Sequence, residues 1–459
     1  MVQNSCARTG IQNQRAKRTA AKRRILATGQ AVFASYDTAM STSETEFDVI
    51  LSGGGLVGLT TALALDSAGL RVCVVDALPF ETQLANEFDG RSSAIAFANM
   101  RMLCALGVAK RLGEHKGPIN QILVSDGRPH DGLRQGGPGP FLLHFDADEF
   151  SGKDAGEPLG WMVENRHMRM ALLGEARSRK DITLIAPVRA EHFDFKGSKA
   201  KITLSDGRIL QAPLIVGAEG RNSPARKAAG IRSHGWGYNQ WGVVATVAHE
   251  QPHNGIAHEY FLPHGPFAIL PLPGNRSSLV WTETPAAAKY LKSAPDDFFQ
   301  AELERRFGSF LGALTPEGPR WAYPLTLMVV EKYIAPRLVL VGDAAHGMHP
   351  IAGQGFNAGI RDAAALADVM AQTVRAGLDI ADPLALERYE QWRRFDNTAL
   401  LAATEGFVRL FSNDLAPIRL LRGLGMAAVD KIGPARRFFA REAGGGVGAL
   451  PNLLQGELP

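Results

Sequence analysis

The sequence predicts an α/β fold built on a parallel sheet, and three stretches carry the prediction. In residues 47–76 an apolar strand, a glycine-rich turn, a helix and a second apolar strand follow one another. In residues 337–362 a short apolar strand gives way to a loop and then to a helix rich in Ala, Leu and Met. Between them, residues 236–330 read as β-rich.

Taken in order, residues 47–52 are the first strand. Gly53-Gly54-Gly55-Leu56-Val57-Gly58 follows, then a helical run to Ala68, Gly69 as its stop, and a strand over 71–75 closed by Asp76. Gly53, Gly55 and Gly58 make G-x-G-x-x-G in the strand–helix–strand context that this pattern requires. The glycines allow a tight turn and close approach of a pyrophosphate, which sits on the helix N-terminus. Asp76 can accept hydrogen bonds from ribose hydroxyls. The pattern reports a dinucleotide and by itself does not separate FAD from NAD. Residues 119–160 are rich in Gly, Pro and Asp, with a short strand over 121–125. A helix over 166–177 and strands over 182–186, 200–205 and 214–216 come next.

Residues 338–341 read as a buried parallel strand ended by Gly342. The loop after it holds Gly347, Pro350, Gly353 and Gly355, and a helix runs over 357–374. Such an arrangement aims free helix N–H groups at whatever lies over the strand's carboxyl end. Asp343 stands where the strand stops, so its carboxylate can accept from ligand hydroxyls. The tail reads as helices over 386–411, 415–428 and 434–443, with Arg409, Arg419, Arg422, Lys431, Arg436, Arg437 and Arg441 among apolar residues. Packing on the core and a basic face for a membrane surface are compatible readings of it.

The 337–362 stretch resembles the signature of the FAD-dependent aromatic hydroxylases, and more narrowly of the ubiquinone-biosynthesis hydroxylase (monooxygenase) family. Gly342-Asp343 matches the motif whose Asp holds the ribityl chain of FAD. His349-Pro350-Ile351-Ala352-Gly353-Gln354-Gly355, with Asn357, Gly359 and Asp362, matches the narrower family's own run. Asp89-Gly90-Arg91 resembles the family's Asp-x-Arg stretch, whose Arg approaches the flavin and its phosphates. The run from Gly217 to Arg226 resembles the second FAD motif, with Glu219-Gly220 where Asp-Gly is usual and Arg226 closing it. Asp76 likewise replaces the more common Glu. Residues 267–272 resemble the apolar strand of the family's substrate domain.

The resemblance implies a p-hydroxybenzoate-hydroxylase-like flavoprotein with a Rossmann-type FAD domain, an inserted β-rich substrate domain and a helical tail. The expected divisions are a leader over 1–44, an FAD domain over 45–118, 160–232 and 325–385, a substrate domain over 119–159 and 233–324, and a tail over 386–459. FAD is then expected on Gly53, Gly55, Gly58, Asp76, Arg91, Glu219, Gly342, Asp343, Pro350, Gly353, Gly355 and Asn357. The loop of Pro350, Gly353, Gln354 and Gly355 positions the flavin, and no side-chain nucleophile is needed. NAD(P)H is expected as a transient reductant, since no second G-x-G-x-x-G follows a strand. O2 and a polyprenylated phenol are the implied substrates, and other ubiquinone-synthesis proteins are implied partners. Hydroxylation of a soluble aromatic compound, or a non-catalytic scaffold role in a quinone-synthesis complex, are the alternatives.

The totals exclude other classes. With 45% hydrophobic residues and mean hydropathy near zero, the 459-residue chain reads as soluble and globular. No long charge-free apolar run suggests a membrane span. Cys6, Cys73 and Cys104 are too few and too scattered for a disulfide framework or a thiolate metal site. Seven basic residues and no acid precede Asp37, and without them the net charge of +4 becomes −3, which argues against nucleic acid. That leader resembles a transit peptide, while Met40 offers an alternative start. The expected location is cytoplasmic and peripheral to the inner membrane, or the matrix face of the mitochondrial inner membrane if the leader is a transit peptide. His249-Glu250-Gln251-Pro252-His253 matches H-E-x-x-H, but Pro252 breaks the helix that zinc chemistry needs. Asp343, His346 and His349 are evenly spaced on a loop better explained by flavin, so no metal site is assigned.

Overall fold

The computed structural model describes residues 46–85, 89–127, 138, 142–149, 154–348, 353–411, 425, 430–433, 444–445 and 448–459. The chain enters through β1 (Val49–Ser52), crosses α1 (Leu56–Ser67) and returns in β2 (Val72–Val75). β3 (Ser92–Ala96), α2 (Phe97–Ala105), α3 (Val108–Leu112), β4 (Gly117–Ile119), β5 (Gln121–Ser125), β6 (Leu142–Asp146) and β7 (Gly160–Glu164) follow. Then come α4 (Asn165–Ser178), β8 (Ile182–Ile185), β9 (Ala190–Asp194), β10 (Ala200–Leu204), β11 (Ile209–Ala212), β12 (Leu214–Gly217) and α5 (Pro224–Ala228). The next segment holds β13 (Ser233–His249), β14 (Ile256–Leu262), β15 (Gly265–Leu272), β16 (Arg276–Glu283), α6 (Pro285–Ser293), α7 (Asp296–Phe307) and β17 (Leu314–Val330). The chain ends with β18 (Ile334–Ala335), β19 (Leu338–Leu340), β20 (His346–Gly347), α8 (Gln354–Arg375), α9 (Pro383–Phe411) and α10 (Asn452–Gln455).

Six strands form the first sheet in the order β18-β19-β12-β1-β2-β8. Every pair in it is parallel except β18 with β19. β1, β2, β12 and β19 are buried at every residue, which is why they read as near-continuous apolar runs. α8 packs on α1, and the approach is set by two glycines around Val57. A Cβ on Gly359 would lie 2.5 Å from Val57 Cγ2, and one on Gly342 would lie 3.0 Å from Val57 Cγ1.

The second sheet has eight strands, β20-β17-β13-β16-β15-β14-β5-β6. Its outer face carries Val243, Ala245, Tyr260, Phe267, Ile269, Leu279 and Trp281, which pack with Ala288 and Leu291 of α6 and Phe299, Leu303 and Phe307 of α7. The inner face turns to the FAD-binding segments. There Ala257, Leu272, Ile122, Phe145 and Leu270 cluster with Phe97, Ala98 and Met162. β5 and β6, from residues 119–159, thus share one sheet with the strands of 233–324. β17 runs unbroken through residue 325, so the expected boundary there falls inside a strand.

Two helix starts differ from expectation. α8 begins at Gln354, three residues before 357, because Gly353 takes a left-handed conformation (φ 63°) that turns the chain directly into the helix. α9 begins at Pro383 instead of 386. Asp382 accepts from the Leu384 N–H at 2.9 Å, and Pro383 occupies the first helical position, a capping pair the composition-based reading passed over. Apart from residue 425, the expected helices over 415–428 and 434–443, and the leader over 1–44, lie outside the described residues. Among the described residues no helix is long and apolar enough to cross a membrane, and no group of three His, Cys, Asp or Glu is placed to hold a metal ion.

Candidate active site

The glycine turn stands at the carboxyl end of the parallel sheet, and its three glycines do different work. Gly53 has φ +101°, and a Cβ there would meet the Ala218 carbonyl oxygen at 2.6 Å. A Cβ on Gly58 would lie 1.9 Å from the Gly53 carbonyl oxygen, so this position must be bare for the helix to close on the strand. Gly55 is the opposite case: a Cβ there meets nothing within 4 Å. The open position is the one at which backbone would approach a pyrophosphate. Asp76, at the end of β2, is drawn into the same turn: its Oδ2 accepts from the Gly54 N–H at 2.7 Å and its Oδ1 from Leu78 N–H at 2.8 Å.

Across the sheet, Asp343 follows β19 and keeps 42% of its side chain exposed. Its Oδ2 accepts from Arg221 Nε at 3.0 Å. Arg221 also donates to the Met348 carbonyl at 3.2 Å and to Thr326 Oγ1, so one guanidinium ties the second motif, β17 and the 342–348 loop together. Arg226 supports it from behind, donating to the Ala344 carbonyl at 2.8 Å and to the Arg221 carbonyl at 2.5 Å. Gly353 lies over β3, where an added Cβ would meet Ala94 Cβ at 3.4 Å, whereas a Cβ on Gly355 meets nothing within 4 Å. Gly355 and Gln354 belong to the first turn of α8, whose N–H groups are those a helix leaves free. Pro350 lies outside the described residues.

Arg91 projects from the loop before β3, 54% exposed. Asp89 anchors it at 2.8 Å, and its guanidinium lies 5.2 Å from the Tyr323 ring centroid. Burial alone would raise the Asp89 carboxyl, but hydrogen bonds from Arg91 and Asn165 outweigh it and hold it below the usual carboxylate range. Gly90 is required by packing, since a Cβ there would lie 1.9 Å from the Trp321 ring.

Two expected cofactor residues point their side chains elsewhere. Glu219 accepts from Ser223 Oγ at 2.6 Å, and Ser223 caps α5, so the longer carboxylate is engaged with protein. Burial pushes its carboxyl up. Asn357 accepts from Ala96 N–H at 3.1 Å and Asn99 Nδ2 at 2.8 Å, and donates to the Ala94 carbonyl at 2.8 Å and the Gly353 carbonyl at 3.4 Å. Its amide is fully occupied in fastening α8 to β3.

One cluster carried no role in the sequence reading. Asp362 on α8 accepts from Gly342 N–H at 2.9 Å, His346 Nε2 at 2.5 Å, Arg393 Nε at 2.8 Å and Asn397 Nδ2 at 3.2 Å. Burial would raise this carboxyl, but His346 and Arg393 hold it far below its ordinary value. The only signal for it was the place of Asp362 in the family run. Arg393, on α9, is 1% exposed.

An open glycine cradle, an acid closing β2 and a half-exposed acid closing β19 fit the pyrophosphate, ribose and ribityl groups of FAD, which defines the class as an FAD-binding α/β protein. The family model described as FAD binding domain matches residues 46–404. Ubiquinone hydroxylase UbiL of Rhodospirillum rubrum is 49% identical over 400 residues, covering 87% of this chain and 89% of that protein. The 3-demethoxyubiquinol 3-hydroxylase of Escherichia coli is 34% identical, covering 87% of this chain and 98% of that protein. The crystal structure of p-nitrophenol 4-monooxygenase PnpA from Pseudomonas putida shares the fold, with a TM-score of 0.72 at 18% identity over 88% of this chain and 100% of that one. The chain belongs to the FAD-dependent monooxygenases of the ubiquinone-hydroxylase family.

Proposed function

We propose that this protein hydroxylates the aromatic ring of a polyprenylated phenol on the route to ubiquinone, using O2 and taking electrons transiently from NAD(P)H. The observation that carries the reading is the 49% identity to a ubiquinone hydroxylase over 87% of the chain. The geometry of the glycine cradle supports it. When bound, FAD supplies the redox chemistry that delivers an oxygen atom from O2 to the ring. The chain's own residues position and shield it. Gly55, on the turn that Gly53 and Gly58 shape, would hold the pyrophosphate, Asp76 the adenosine ribose, and Asp343 the ribityl hydroxyls. Arg91 offers a fork of donors to phosphate oxygens. The first turn of α8, opened by Gly353 and Gly355, would present N–H groups and about half a positive charge to an anionic part of the cofactor. The inner face of the eight-stranded sheet roofs the substrate ring and excludes water.

A polyprenyl tail keeps such a substrate in the bilayer. The protein therefore meets the membrane at its surface, with the basic tail residues as the contact. Deletion of the gene, followed by identification of the accumulating quinone precursor, tests the reading. A prenylated phenol lacking one ring oxygen is expected. Normal quinone with no accumulated precursor rejects it.

A further inference from the structure

The inner face of the eight-stranded sheet carries a carboxyl group that nothing above uses. Strand pairing places Glu259 opposite Ala268 on β15 and beside Val124 on β5. Continuing across the sheet, Ala268 pairs with Val280, Val280 with Val244, and Val244 with Trp321. On the other side Val124 pairs with Leu143. Opposed residues share a face, so Glu259 is the single acid in a row otherwise made of Leu, Val, Ala and Trp. The row belongs to the face turned toward the FAD-binding segments. At one end Trp321 covers Gly90 and Tyr323 lies against Arg91. Two residues before Glu259, Ala257 packs in the cluster of Phe97, which directly follows β3. β3 in turn underlies Gly353 through Ala94.

Glu259 keeps partial solvent access. It has no hydrogen-bond or ion-pair partner among the described residues. The charged groups on the elements around this face are paired with one another: Arg91 with Asp89, Arg101 with Asp154, and Arg276 with Glu164 and Glu317. An unpartnered acid among apolar neighbours costs stability unless something satisfies it.

We infer that Glu259 is the polar contact for the substrate ring, its carboxyl exchanging a hydrogen bond with the phenolic hydroxyl held under the sheet. The inference rests on the proposed function and adds the residue that orients the ring. Burial pushes the Glu259 carboxyl up to about 8, so near neutral pH it is an acid that both donates and accepts, which suits a neutral phenol.

The test uses the full-length FAD-loaded protein with a short-chain prenylated phenol. Glu259→Leu should keep FAD and gain thermal stability, because it replaces an unsatisfied acid by an apolar side chain. Its KM for the phenol should rise, and its product per NAD(P)H consumed should fall about tenfold. Glu259→Gln should keep most of the coupling, since its amide still donates and accepts. It should also lose the inflection near pH 8 expected in the wild-type kcat/KM profile. Wild-type KM and coupling in Glu259→Leu overturn the assignment. So does a wild-type profile flat through pH 8, or an inflection that survives in Glu259→Gln, and these readings stand even if the leucine variant does not fold. Wild-type protein that hydroxylates no prenylated phenol defeats the functional proposal itself, and the Glu259 assignment with it.

Discussion

His346 and Asp362 share a hydrogen bond of 2.5 Å between two side chains that are each 0% exposed. One comes from β20 and the other from α8, so the bond closes the base of the loop that carries Asp343 and leads to Gly353. Arg393 completes the clasp from α9. Arg393 also pairs with Asp396 at 2.6 Å, so Asp362→Asn leaves it one counter-charge and should cost about 2–3 kcal/mol, below the usual penalty for breaking a buried pair outright. Urea denaturation at pH 7 measures it. The acid dependence has a definite sign. The Asp362 carboxyl is depressed in the folded state, so its contribution is complete above the ordinary carboxylate range and is lost as pH falls toward the folded value. Wild-type protein should lose more stability than Asp362→Asn between pH 6 and pH 3, and parallel curves would refute the clasp.

The glycine turn separates fold from ligand. Gly58→Ala drives a methyl into the Gly53 carbonyl, so this variant should unfold or express as aggregate. Gly55→Val fills open space, so its thermal midpoint without cofactor should match wild type while bound FAD per chain collapses. If Gly55→Val retains full flavin, the cradle lies elsewhere.

Asp343→Ala isolates a ligand contact from a structural one. The Arg221–Asp343 pair is more than a third exposed on each side, so breaking it should change stability by less than about 1 kcal/mol. Loss of one or two charge-assisted hydrogen bonds to ribityl hydroxyls, about 1.5–3 kcal/mol each, should strip most of the FAD. Gly355→Val should instead keep some flavin but waste NAD(P)H as peroxide. Flavin absorbance per chain and product per NAD(P)H separate the two, and normal values in both variants reject this placement of FAD.

The tail prediction concerns membrane contact. If Arg419, Arg422, Arg436 and Arg437 meet anionic lipid, each contributes on the order of 1 kcal/mol. Replacing the four by Gln should weaken co-sedimentation with phosphatidylserine vesicles, more so at low salt. Unchanged sedimentation leaves the tail a packing role alone.

Residues 1–39 should be dispensable, because their composition offers little apolar surface to bury. Protein started at Met40 should bind FAD and melt at the wild-type temperature. A drop of several degrees in Tm would show that the leader packs on the body.

The short-range part of the design was legible. Gly53, Gly55 and Gly58 appear within six positions, and the strand before them and the acid after β2 complete a pattern whose chemistry is local. The apolar runs of β1, β2, β12 and β19 announce strands buried on both faces, and the run from Gly342 to Asp362 carried the family. The start of α9 was readable too, in Asp382-Pro383, but the tail's composition masked it.

From sequence alone came the parallel α/β core, the dinucleotide turn and the flavin family, because each rests on backbone conformation and on spacings within one or two elements. Tertiary structure decided which polar groups face the ligand and which face protein. Glu219 and Asn357 look like cofactor ligands in their motifs, yet their side chains are satisfied by Ser223, Asn99 and the β3 backbone. Arg393, one of many charges on α9, is buried on Asp362. Arg221 and Asp343, 122 residues apart, meet only because β12 and β19 are neighbours. Alternation along β14 puts Glu259 on one of two faces, but only the pairing with Ala268 and Val280 shows it to be the inner one. Side-chain partners are set by which strands and helices lie side by side, and that adjacency is a property of the packed chain, not of any local stretch of it.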